Sequence, residues 1–130
     1  MAARTLRSLA EVAEQLVNDP PAGTPDTFAG QSAAMVDAIK AQAEKVADWL
    51  NGPAVPSADP GGWDAGRHAA YVAALNVRHL LDVAEQVVTD APGGMPAEAA
   101  AMVDRLAALV AAQRIFASQV TEWFDAASQA

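Results

Sequence analysis

Apolar side chains recur along this chain at three- and four-residue intervals, the spacing that puts successive side chains on one face of an α-helix. Leu6, Leu9, Ala13 and Leu16 trace a first stripe, and Asn18-Asp19-Pro20-Pro21 ends it, because two prolines remove backbone donors and bar continuation. A second stripe runs Phe28, Met35, Ile39, Gln42, Val46 and Trp49. Thr24 is placed to cap that helix, Pro25 to fill its first position and Asp26 to sit near the positive end of its dipole, while Asn51-Gly52-Pro53 closes it. A third helix is expected to begin between Pro60 and Asp64 and to run to about Thr89, with Leu75, Val77, Leu80, Ala84 and Val87 inward. The fourth begins at Pro96, has Glu98 in its first turn and carries Met102, Leu106, Leu109, Gln113, Phe116, Val120 and Trp123 inward.

These elements repeat. Leu6 to Asp19 reads against Val77 to Asp90 without a gap, Val12 falling on Val83 at an offset of 71 residues, and the match continues through Pro21/Pro92, Gly23/Gly94 and Pro25/Pro96. Further on, Gln42/Gln113 keeps that offset, whereas Ala33-Ala34-Met35-Val36-Asp37 matches Ala100-Ala101-Met102-Val103-Asp104 at an offset of 67. The two registers differ by about one helical turn, so either leaves the same face inward. The predicted fold is all-α: an antiparallel four-helix up-down bundle built from two duplicated αα-hairpins, spanning residues 1–130 as one domain. The first hairpin covers about 4–50, a linker rich in Pro and Gly covers 51–62, and the second hairpin covers about 63–127.

Composition supports helix over sheet. Apolar residues make up 52% of the 130-residue chain but aromatic ones only 5%, and Ala is the commonest residue, which favours helix and starves a sheet core of branched and aromatic side chains. With 16 Asp and Glu against 8 Lys and Arg, the net charge is −8, and the cations are scattered singly. Nucleic acid and anionic membrane are therefore not the expected partners, since both need clustered cations. No Cys is present, so disulfides and thiolate chemistry are excluded. No apolar run approaches a membrane span and no signal core follows Met1, so a cytoplasmic location is expected.

Candidate chemistry is sparse. His79 and Asp82 stand three residues apart near Glu85, the spacing of a carboxylate-and-histidine metal motif, but the first repeat has Ser8 where the second has His79. The expected arrangement is a solvated face with Arg7–Glu11 and Arg78–Asp82 as helical ion pairs and no bound metal. His68 and His79 lie about three turns apart, too far to share an ion. Gly93-Gly94 reads as a hairpin turn, since the strand of a phosphate loop is missing. Neither a nucleophile signature nor a cofactor motif is present, and no enzyme activity is expected. Gln42 and Gln113 fall within the apolar stripes of the two equivalent helices, where a buried amide needs a partner, so the two are expected to form a buried polar pair.

The helix lengths carry the functional expectation. The first helix is read as roughly 14 residues and the third as roughly 26, or about 21 and 39 Å, so three helices stand at one end where four are needed. The residues at that end are Val46, Trp49, Leu50, Tyr71, Val72, Phe116, Val120 and Trp123, where Trp49, Trp63, Phe116, Trp123 and Phe124 are by default core, and the Pro53-Ala54-Val55-Pro56 stretch of the linker is one candidate cover. An apolar aromatic groove of this kind needs a cover. The chain is therefore read as a non-enzymatic interaction module whose groove takes a second subunit, as a homodimer, or a partner helix; the alternative is a binder of a small apolar ligand.

Overall fold

The computed structural model of the chain describes residues 2–51 and 65–128, which form four α-helices with no strand among them. These are α1 (Ala2–Asn18), α2 (Asp26–Asn51), α3 (Ala65–Thr89) and α4 (Ala97–Ser128). Each helix packs on two others: α1 on α2, α2 on α3, α3 on α4 and α4 on α1, with no close backbone approach across either diagonal among the described residues. Four helices joined in such a ring enclose one core, which defines a helical bundle.

Alanine is the commonest residue of the core. In α1 the buried positions are Ala3, Leu6, Ala10, Ala13 and Val17, a clean three-four repeat. Leu9 and Leu16, expected inward, are only half-buried. The same shift recurs in α2, where Ser32, Val36, Ala43 and Ala47 are buried and Met35, Gln42 and Trp49 lie at the edge of the core. In α3 it places Ala73, Ala74 and Leu81 inside, with Leu75, Leu80 and Val87 half-buried. The physical reason is the ring itself: each helix faces two neighbours, so its apolar arc is wider than one stripe. Alanines at the centre of that arc let the backbones approach, and larger side chains fill the flanks of the seams.

Three buried clusters stack along the bundle. Ala13, Val17, Phe28, Val36, Met102 and Leu106 form the one near the α1–α2 turn. Leu6, Ala10, Ile39, Val77, Leu81 and Val110 belong to the middle one. The third gathers Ala3, Val46, Ala70, Ala73, Val120 and Phe124.

The turns within the two helix pairs share their chemistry. Gly23 and Gly94 both adopt positive φ, 88° and 80°, which a Cβ would oppose. The helices that follow start alike, with Ala29 N donating to Pro25 O at 2.9 Å and Ala100 N to Pro96 O at 3.0 Å. The role expected of Thr24 changes. Instead of capping α2, its hydroxyl donates to Pro21 O at 2.7 Å, closing the turn behind it.

The length deficit of α1 is smaller than the sequence implies. Its 17 residues begin at Ala2, against 25 for α3. The additional N-terminal turn brings Ala3 into the lowest cluster beside Val46, Val120 and Phe124.

Candidate functional site

The aromatic end of the bundle is organised around Phe124. This side chain is completely buried, and three rings meet it from three directions. Trp49 of α2 lies with its centroid 5.7 Å away, Tyr71 of α3 at 5.8 Å, and Trp123, the preceding residue on α4, packs edge-on at 5.1 Å. Tilted and edge-on contacts of this kind align the positive ring edge with a negative face. The Tyr71 hydroxyl donates to Asp125 Oδ1 at 2.7 Å, which pins α3 to the last turns of α4. That bond, with burial second, raises the Tyr71 pKa above its ordinary value, because the carboxylate stabilises the phenol proton.

The residues expected to line a groove at this end divide into two groups. Val46 and Val120 are buried in the chain's own core, so they cannot face a partner. Trp49, Tyr71 and Phe116 are half-buried, while Val72 is 40% and Trp123 50% exposed. The side chain of Leu50, the Pro53-Ala54-Val55-Pro56 stretch, Trp63 and the rest of the 51–62 linker beyond Asn51 lie outside the described residues. The groove is thus narrower than expected, since Ala3 and Phe124 fill much of the space that a shorter α1 would have left open.

Phe124 was not among the expected groove residues. The signal for it lies in the spacing Val110, Gln113, Ala117, Val120, Phe124, a three-four repeat that places Phe124 inward and Trp123 beside the seam.

The expected Gln42–Gln113 pair does not form. Gln113 is buried, its Nε2 donates to Leu109 O of its own helix at 3.2 Å, and its Oε1 has no hydrogen-bond partner. Gln42 is half-buried on the α2/α3 side, and α2 and α4 stand on a diagonal. Burial follows the offset of 67 in these helices: Ile39/Leu106, Ala43/Val110 and Val46/Gln113 are buried in both. In that register Gln42 corresponds to Leu109, and both are half-buried.

Ion pairs bridge the α1/α2 and α3/α4 seams. Between α1 and α2, Lys40 Nζ bonds Glu14 at 2.9 Å, and Arg7 lies 3.4 Å from Glu11, as expected, and 3.6 Å from Asp48. The Glu14 bond raises the Lys40 pKa, outweighing the opposing effect of burial. Between α3 and α4, Arg114 pairs with Asp82 at 2.9 Å and with Glu85. Arg78, expected to pair with Asp82, instead donates to Thr121 Oγ1 at 3.3 Å. A guanidinium from the neighbouring helix presents a planar fork to both carboxylates, which an adjacent-turn arginine does not. Asp82 and Glu85 are engaged in this way, His79 is exposed, and no cluster of metal-ligating side chains occurs among the described residues.

An open groove between α2 and α3, lined by Gln42, Lys45, Asp48, Trp49, Ala70 and Asn76 among others, runs toward the aromatic end. No helix among the described residues is long and apolar enough to cross a membrane. Comparison of the chain with family models, with curated proteins and with solved structures yields no match.

Proposed function

We propose that this chain is a non-enzymatic helical interaction module that associates with a second copy of itself through apolar surface at its aromatic end. The observation that carries the reading is Trp123, a tryptophan left 50% exposed although it packs on a fully buried phenylalanine. A large ring held rigid on one edge and open on the other loses little entropy on docking and is a common anchor of interfaces. The alternative, a small apolar ligand held inside the bundle, finds less support, because Phe124, Val46 and Val120 occupy the interior where it would sit.

The architecture we infer for the module is two duplicated αα-hairpins in up-down-up-down order. Three ion pairs and a hydrogen bond support the antiparallel sense: from Glu14–Lys40 to Arg7–Asp48 one number falls as the other rises, and from the Arg78–Thr121 hydrogen bond to Asp82–Arg114 the same holds. The duplication is supported by Leu6/Val77, Ala10/Leu81 and Ala13/Ala84, buried in both halves, and by Val12/Val83, about half exposed in both.

Light scattering across a dilution series tests the function. The chain is expected to approach the mass of a dimer as concentration rises, and Trp123→Ala to shift that transition to higher concentration with helicity kept. A wild-type protein that stays monomeric throughout overturns the reading.

A further inference from the structure

On the half of the bundle nearer the turns, the seam between α3 and α4 opens into a groove of about 520 Å³. Glu85, Val88 and Thr89 of α3 face Ala107, Val110 and Ala111 of α4 across it, and Arg114 completes the lining. Alanine makes the opening, because Ala107 and Ala111 stand one turn apart and present methyl groups where longer side chains would close the seam. Small-molecule sites span roughly 300–1,000 Å³, so the groove is of a size to hold one.

A second space lies beneath the first. Met35 and Val36 of α2, Ala84 and Val87 of α3 and Leu106 of α4 line an apolar cavity with about 10 Å³ of room, the space of one water molecule. Val88 and Val110 border both spaces, so these two side chains form the wall between the groove and the core. Ser32 also borders the cavity, but its hydroxyl donates back to Ala29 O of its own helix at 3.1 Å. Met35 is half-buried, and its unbranched thioether is the lining side chain best able to yield to an entering chain.

The rim of the groove is acidic. Asp82 and Glu85 are both paired with Arg114, and each carboxylate keeps further acceptor sites. Asp104 shares the Ala107–Ala111 face of α4, whereas Arg105 falls on the face of Phe116. Among the described residues, Asp82, Glu85 and Asp104 therefore stand against Arg114, an excess of negative charge.

We propose that this groove binds a small amphiphilic cation: a primary alkylammonium ion with its head between the Glu85 carboxylate and the Thr89 hydroxyl, and its tail along Ala107 and Ala111 against Val88 and Val110. Charge selects the head. The fork of Arg114 is already filled by Asp82 and Glu85, so an anionic head would meet their carboxylates at the guanidinium. The methyl and valine floor selects the tail, and the cavity beneath the valines gives a longer tail somewhere to go. The site lies away from Phe124 and does not depend on self-association at the aromatic end.

Isothermal titration calorimetry of the full chain with butyl-, pentyl-, hexyl- and heptylammonium tests the site. Affinity is expected to rise about fourfold per methylene, and carboxylates of equal length to bind about tenfold more weakly or less. Ala111→Trp lays a ring in the groove from an exposed position and should weaken amine binding about tenfold, with circular dichroism verifying that helicity is kept. Glu85→Gln, a second variant on the exposed rim, should narrow the preference for amine over carboxylate. A wild-type chain that takes up none of the amines at millimolar concentration, carboxylates that bind as well as amines, a preference unmoved by Glu85→Gln, or an Ala111→Trp variant that binds as before would each overturn the proposal.

Discussion

Gly23, in the turn between α1 and α2, lies directly against Pro96 at the head of α4: a Cβ placed on Gly23 would stand 2.5 Å from Pro96 Cγ. The first turn is therefore wedged onto the start of the last helix. Gly94, its counterpart before α4, has the same left-handed backbone, yet a Cβ there would meet nothing within 4 Å among the described residues. Two glycines of similar φ thus serve different ends, one for conformation alone and one for conformation and close approach.

That difference is measurable. Gly94→Ala should cost about 1–2 kcal/mol, the strain of a left-handed alanine. Gly23→Ala should cost more by about 1 kcal/mol or greater, since the methyl group must also displace a rigid proline ring. Urea unfolding of the two variants decides it, and equal losses would mean that the Gly23–Pro96 contact is not maintained in solution.

Alkaline pH should loosen the bundle at two named places. Lys40 and Tyr71 both have pKa values raised by a hydrogen bond to a carboxylate, Glu14 for the lysine and Asp125 for the tyrosine. A raised folded value favours the protonated form, so each contribution is complete below the ordinary value and is lost as pH climbs through the folded one. The thermal midpoint is therefore expected to fall as pH rises beyond about 10. In a Lys40→Met, Tyr71→Phe double variant that fall should be shallower, and an identical fall in both proteins would assign the alkaline transition to other groups.

Gln113 offers a stabilising substitution. Its Oε1 is buried without a partner and its Nε2 only reaches back to its own helix. Replacing an unsatisfied amide by an apolar side chain of similar shape removes a desolvation cost, so Gln113→Met should raise stability by about 1 kcal/mol. A loss of stability, read by chemical denaturation, would reveal a polar partner for the amide.

The helical class and most helix ends were legible in the residues. Pro20-Pro21 and Pro25 bracket the first turn, Gly94 and Pro96 the second, and α1 stops at Asn18 and α3 at Thr89 where the prolines and glycines imply. The inward face was legible only approximately. Leu9, Leu16, Leu80 and Trp123 attract attention by bulk, but burial selects Ala10, Ala43, Ala73 and Phe124, because position in a ring of four helices outweighs side-chain size. The candidate site suffered most from this. A shift of one position moves a side chain on a helix by about 100°, enough to exchange Trp123 for Phe124 between surface and core.

By itself, then, the sequence determined what is local: where the backbone is helical, where Pro and Gly break it, and that no thiol is available. Helical periodicity and turn chemistry act over a few residues, so these features need no knowledge of neighbours. Only the tertiary structure decided which helices meet, that Arg114 rather than Arg78 holds Asp82, that Gln42 and Gln113 stand apart, and that Phe124 closes the aromatic end. Those outcomes depend on the rotation of each helix about its axis, which is set by packing against two neighbours at once and is encoded in no single stripe of residues.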